Sequence, residues 1–591
     1  VVALRIQNFG GMIPAVDPTL LPQNAAEHSE NVWIYTGGLQ GFHPRKLIHT
    51  AASSTYAVYR IPKDQAQPFN YSNSVYMEFI DEFTTVVSAP TIGDTYRRFY
   101  WASTSDRPRY NTFNRINTGS AAYKLGIPAP STAPSIVVTG GSGTNTTRSY
   151  VVTWVSEYGE EGQPSNPTTA TGYINGTWTI TLTPPTGAES ADRNLDYARI
   201  YRTITGVSGA TSYYQVAQVA IATTSYSDTA LDSAVVLNPI LESETWAEPP
   251  IDLQGFVTMP NGIVASWRGN EVWFCEPYRP HAWPPQYALT VPYNIIGLGT
   301  VGQSLIIATQ GYPSYATGVT PASMTLARFG GFEPCLSRKS ILSTPEGVYW
   351  SSPNGLVLAV PGRIENITRN LITRDDWLEN YGSETINAAR LGTAYYAFGA
   401  VSTGCFESTA FEPTAFEQRN FNDARSGFYL DPLVERIGVN FLAQQQPVLS
   451  ASADPWTGDT LLFQSDGKLY VIDPAGVSGT REPYRWRSKP FEMPFKDNLG
   501  ALRIFFTEIE GFALNPAPNI SLVQTLQPDQ YGLVRVYADG RHVFTREIRT
   551  PGEIMRLPSG FKADYWQFEV EARVLVREVE IASSVKELRR V

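Results

Sequence analysis

Four carboxylates, Glu271, Glu276, Glu346 and Asp466, stand in or beside short hairpins. Glycoside hydrolysis needs two carboxyl groups at a separation set by the mechanism, and β-rich glycosidases recruit them from different hairpins. A solvated carboxylate beside a turn is the commoner situation, and no spacing singles out a pair. The histidines His28, His43, His49, His281 and His542 have no close partner, and neither HExxH nor a GxSxG elbow is present. Local motifs therefore point away from zinc and serine hydrolases, while a triad gathered from distant residues stays open. Asp454, Asp459, Asp466 and Asp473 do not follow the calcium-loop spacing. No phosphate-cradling GxxxxGK[ST] or dinucleotide glycine set occurs. Cys275, Cys335 and Cys405 lie far apart and have no CxxC companion, which excludes a small disulfide framework and a spaced Cys₄ zinc site and leaves buried free thiols as the expectation. The expectation is a protein without catalytic residues, metal or cofactor.

Two stretches have the chemistry of recognition instead. Glu276–Pro285 (EPYRPHAWPP) is stiffened by four prolines. Its Tyr278, Arg279, His281 and Trp283 are candidate residues of a protein-contact loop, since flat aromatic groups give contact area at low entropic cost. A glycan platform and a buried aromatic loop packing between sheets are the other readings. Tyr96–Trp101 (YRRFYW) interleaves basic and aromatic groups. That mixture suits single-stranded nucleic acid, and it equally makes a plain half-buried strand.

These residues must be positioned by strands. Gly262–Glu276, Pro345–Val360 and Gly458–Asp473 each read as strand, tight turn, strand. Arg268-Gly269-Asn270, Pro353-Asn354-Gly355 and Asp466-Gly467 supply residues that tolerate positive φ. Hairpins repeated over about two hundred residues suggest a radial array, as in a β-propeller, although a sandwich or a β-helix also uses short strands. Thr55–Ile61, Ser74–Ile80 and Tyr96–Ser103 continue the style and are expected to help close the ring. Ala25, Ala26, Val32 and Trp33 suggest a short helical turn running into a strand. Thr373–Tyr381 is a helix candidate, with Thr373 as cap and Asp375 and Asp376 in its first turn. Cys405–Asn422 reads as a surface loop.

The expected fold class is all-β and multidomain. Residues 1–132 form an N-terminal β-region contributing strands to the propeller and platform, 133–249 a β-sandwich, 250–486 the propeller's main part and 487–591 a C-terminal antiparallel β-domain. The proline-rich Leu125–Pro134 opens the sandwich. Its strand order, YVVTWVSEYGEEGQPSNP, YARIYRT, YQVAQV and YSDT, resembles fibronectin type III modules.

Composition agrees. Aromatic residues are 12% and charged residues 17% of the 591, a turn-dense, aromatic profile rather than a disordered one. The net charge of −10 gives no global attraction to nucleic acid, and an acidic wall would let a phosphate backbone pass without gripping it. No run of 18 apolar residues predicts a membrane span. The opening Val1-Val2-Ala3-Leu4-Arg5 lacks a charged n-region followed by an apolar stretch. The chain does not begin with methionine, so its sequence is silent on a leader.

The ordered segments Phe9–Lys46 (FGGMIPAVDPTLLPQNAAEHSENVWIYTGGLQGFHPRK), Trp267–Leu289 (WRGNEVWFCEPYRPHAWPPQYAL) and Trp486–Pro494 (WRSKPFEMP) resemble tail nozzle proteins of short-tailed bacteriophages, also called tail tubular protein B. The resemblance spans most of the chain apart from the sandwich, which simpler nozzle proteins lack. It implies a virion structural protein without enzyme activity or stable membrane insertion. In that family a homo-hexameric tube sits below the tail adaptor ring. Tail fibres or spikes are neighbours, and double-stranded DNA is retained in the lumen and then conducted through it without specific binding. The competing reading is a propeller-based carbohydrate-binding or glycan-degrading surface protein.

Overall fold

The computed structural model describes residues 3–34, 37–66, 70–205, 211–399, 425–432, 438–443, 446–472, 481–507 and 532–589. Cys405 and the predicted Cys405–Asn422 loop lie outside the described residues.

The chain is all-β. Among the described residues, seven sheets follow one another around a hub. Sheet one pairs Ala57–Pro62 with Ser74–Phe79. Sheet two contains Thr85–Ser88, Arg98–Ala102, Arg109–Thr112 and Tyr123–Lys124. Sheet three runs from Gln254–Thr258 to Leu289–Thr290, sheet four from Ile295–Val301 to Thr325–Arg328, and sheet five from Leu342–Thr344 to Arg363–Asn366, each a four-stranded meander. Sheet six begins with Asn387–Leu391 and reaches Asn440–Ala443. Sheet seven is Val448–Ala453, Thr460–Gln464 and Lys468–Val471, completed by the N-terminal strand Lys46–Thr50.

Side-chain alternation turns this series into a ring. In Ser304–Thr309, Leu305 and Ile307 enter a core shared with Trp267 and Phe274 of sheet three. Ile306 and Ala308, on the opposite face, enter one shared with Val348 and Trp350 of sheet five. A strand buried on both faces must read as a continuous apolar run, which explains Leu305-Ile306-Ile307-Ala308 and Leu461-Leu462-Phe463. Cores of this kind join five to six, six to seven, seven to one, one to two and two to three. The circuit closes, giving a seven-sheet propeller. Its wedges hold together by apolar burial, at roughly 1.5–3 kcal/mol for each large side chain removed from water. Trp350 is one such side chain, with no exposed surface and its Nε1–H donating to the Glu333 carbonyl at 3.1 Å.

The sandwich leaves the ring between sheets two and three. A three-stranded sheet (Ser135–Thr139, Thr177–Thr181, Ser225–Asp228) faces a four-stranded one (Thr168–Tyr173, Asn145–Ser156, Leu195–Thr205, Thr211–Ala220). Trp154, Trp178 and Ile200 fill the space between. Its last strand pairs with Thr177–Thr181 and covers an edge that would otherwise be open. In the immunoglobulin-type order the last strand extends the other sheet.

The N-terminal region divides between two bodies. Lys46–Thr50 and the strands of sheets one and two belong to the propeller. Ala3–Gln7 pairs with Leu575–Ala582. Ala26–Glu30 lies between Asn440–Ala443 of sheet six and Tyr484–Ser488, so sheet six continues into the C-terminal β-domain as one sheet, ten-stranded among the described residues. Ala26 is therefore a strand residue, not part of a helical turn, because its backbone completes a ladder with a distant segment. The predicted helix is present as Arg374–Asn380, with the Thr373 hydroxyl accepting from the Asp376 N–H.

Candidate functional site

The Glu276–Pro285 loop is folded on itself by hydrogen bonds from the Arg279 N–H to the Glu276 carbonyl and from the Ala282 N–H to the Arg279 carbonyl, at 2.9 and 3.0 Å. Trp283 has no exposed surface. Its ring stacks on Phe256 at 5.6 Å, its Nε1–H donates to the Pro280 carbonyl, and its backbone N–H donates to the Ala247 carbonyl. His281 is buried edge-on against Trp246, and burial, reinforced by Arg279 and Arg98, brings its pKa down to about 3. The Arg279 guanidinium lies 4.1 Å from the Trp246 ring and pairs with Glu242 at 3.3 Å. Glu242, Trp246 and Ala247 belong to the segment returning from the sandwich. His281 and Trp283 are thus held inside the chain by the segment returning from the sandwich, the arrangement of the buried aromatic loop. Of the loop's four predicted residues, Tyr278 alone is more than half exposed, at 56%.

Tyr96–Trp101 does the same from sheet two. The Arg97 guanidinium donates to the Pro62 and Lys63 carbonyls and lies over Phe113. Arg98 holds Asp94 at 3.0 Å and the buried Glu160 of the sandwich at 2.6 Å. Burial pushes the Glu160 carboxyl upward against the pull of Arg98. Tyr96 packs on Tyr158 of the sandwich. The nucleic-acid reading of this stretch is corrected: both arginines are engaged within the protein and Phe99 and Tyr100 are buried.

The four carboxylates each have local partners, and no described contact joins any two of them. Glu271 accepts from Arg268 and from the Trp273 Nε1–H, which lowers its pKa. Glu276 accepts from the Tyr287 hydroxyl, Glu346 faces Arg390 at 3.7 Å, and Asp466 accepts from the Lys468 N–H. Cys275 and Cys335 are buried free thiols, pushed up to about 12 by burial. Among the described residues no group of three or more His, Cys, Asp or Glu could hold a metal ion, and no helix is long and apolar enough to cross a membrane.

At the hub lies a cavity of about 500 Å³. Val58, Val86, Phe256, Leu298, Leu342, Ala388 and Ala451, one from the innermost strand of each sheet, line it. Arg338, just before sheet five, reaches its wall. The guanidinium lies 4.6 Å from the Trp267 ring and 5.2 Å from Phe83, and donates to Gln254 Oε1 at 3.3 Å and the Phe83 carbonyl at 3.1 Å. Sequence reasoning missed Arg338 because an arginine between hairpins carries no local signal. Gly255, inside the strand Gln254–Thr258, was the available clue to a close approach.

No family model matches this chain, and no curated protein matches it. Among solved structures, apo AztD from Citrobacter koseri is similar at 11% identity over 58% of this chain and 72% of its own, with a TM-score of 0.23. A chain from the complex of S. cerevisiae Dbp5 with Nup159, Gle1, IP6 and ADP is similar at 7% identity over 59% of this chain and 98% of its own, again with a TM-score of 0.23. At these scores neither likeness bears on function.

Proposed function

We propose that the chain is a subunit of a phage tail nozzle, a structural element that retains the genome and conducts DNA during ejection. The reading rests on the ordered resemblance of Phe9–Lys46, Trp267–Leu289 and Trp486–Pro494. Two of these segments, 476 residues apart at Gly10 and Trp486, meet in one core: the Trp486 Nε1–H donates to the Gly10 carbonyl at 2.9 Å, and Phe9 packs edge-on against Trp486 at 5.0 Å.

Physical properties suit the role. A propeller of double-faced wedges is stiff and its strand edges are short. The C-terminal domain shares one core with sheets five and six, which makes a rigid junction. The sandwich is fastened by the Arg98–Glu160 and Arg279–Glu242 pairs. The acidic balance favours passage of DNA over binding. Such wedges close into a ring through a heterologous interface, and the family implies six copies. Adaptor ring and tail fibres or spikes are the neighbours. Negative-stain imaging of the purified protein with adaptor added is expected to show rings or tubes. A monomer that cleaves polysaccharide would overturn the reading.

A further inference from the structure

Among the described residues, the charged side chains lining the hub cavity are Arg60, Glu82, Arg338 and Lys339. Arg60 is matched by Asp454, and Lys339 Nζ by Glu82 at 2.5 Å. Arg338 is not matched. Among the described residues no carboxylate lies within 4.0 Å of its guanidinium, and its two acceptors, Gln254 Oε1 and the Phe83 carbonyl, are neutral. Asp81 attracts it from further off, but is itself occupied by the Phe83 N–H and by Thr104. Burial lowers the Arg338 pKa to about 10, so it remains cationic at neutral pH. A largely desolvated cation without a counter-ion is costly, and an anion in the cavity would offset that cost.

The neighbouring backbone holds Trp267 close beside Arg338. The ladder of Gln254–Thr258 with Val264–Arg268 slips between Gln254 and Val257. Gly255 sits there at φ +64, and a Cβ on it would come within 2.1 Å of the Trp267 ring and 2.9 Å of Arg338 Nη2. Bulges of this kind re-aim groups beside binding sites. The cavity volume falls within the range of small-molecule sites, about 300–1,000 Å³. Its wall combines Phe256, Trp267 and Leu298 with the polar Thr85, Asn387 and Ser452.

We propose that the hub cavity binds a small organic carboxylate, its charge on Arg338 and its body against the apolar hub wall. One unmatched positive charge selects a monoanion; a phosphate dianion would leave one negative charge uncompensated. The site is independent of the nozzle reading.

The test is isothermal titration of the intact chain with benzoate and glucuronate, against methyl glucoside and inorganic phosphate. At least one carboxylate should bind once per chain, and Arg338→Gln should weaken that binding at least about tenfold, the scale of one lost charge-assisted contact. Should Arg338→Gln unfold, Ser452→Trp decides. It fills the cavity from a different sheet, at an exposed position, and should abolish binding with an unchanged unfolding temperature. Arg363→Gln, at an exposed pair with Glu365, should bind as the wild type does. Absence of carboxylate binding, binding of phosphate alone, or undiminished binding by a folded Arg338→Gln or Ser452→Trp chain would overturn the proposal.

Discussion

Arg60 and Asp454, 394 residues apart, meet at 2.5 Å as an ion pair with no solvent exposure on either side chain. The pair bridges sheet one and the end of the first strand of sheet seven, where early and late parts of the chain complete the ring. Asp454 also accepts from the Trp456 N–H, and Arg60 lies over Tyr71 at 4.5 Å. Removing one member leaves the other buried and uncompensated, so Arg60→Met should cost about 3–5 kcal/mol. The double variant Arg60→Met/Asp454→Leu should lose less than the sum of the singles. Urea unfolding midpoints measure both; strict additivity would mean that the pair does not couple the sheets.

His281 gives an acid-side signature. Its folded pKa, about 3, lies below the ordinary 6.5. The unfolded chain therefore binds more protons between these values, and stability present above pH 6.5 is lost as pH falls towards 3. The slope from this group is about 1.4 kcal/mol per pH unit. His281→Phe keeps a ring against Trp246 and should flatten the fall between pH 6.5 and 5. Thermal unfolding across that range, with equal slopes in both proteins, would contradict the assignment.

Two glycines at positive φ should behave differently. Gly269 at φ +53 has open space around it, so Gly269→Ala should cost about 1 kcal/mol of backbone strain. Gly255→Ala adds a clash with the Trp267 ring and should cost at least about 2 kcal/mol more, the scale of overpacking a filled core. Comparing their unfolding midpoints checks the cradle beside Arg338 independently of any ligand.

The Arg374–Asn380 helix separates capping from packing. Trp377 is wholly buried and its Nε1–H donates to the Ser352 carbonyl at 2.9 Å. Trp377→Ala should cost about 3–5 kcal/mol, and Thr373→Ala, which removes the cap, about 1 kcal/mol. A reversed ranking would place the helix's stability in its local sequence rather than in its contact with sheet five.

Whatever depends on neighbouring residues was legible before any fold was known. Two-residue periodicity, glycine turns and apolar runs marked the hairpins, the sandwich strands and the all-β class. Thr373 followed by Asp375 and Asp376 marked a helix, because a cap acts within one turn. Tertiary structure decided everything carried by pairing across long separations. That Ala26–Glu30 lies between Asn440–Ala443 and Tyr484–Ser488 is a register choice available only once sheet six exists. His281 and Trp283 looked like an outward contact surface; they are buried because the segment leaving the sandwich covers them, and no local pattern encodes that cover. Arg98, in a stretch whose basic and aromatic mixture also suited single-stranded nucleic acid, is an internal tie because Glu160 of the sandwich reaches it. Arg338 lay unremarked between two hairpins. Its unmatched charge emerges from the positions of Glu82, Asp81 and Asp454 around one hub, since the neutralisation of a buried cation is a property of space and not of chain order.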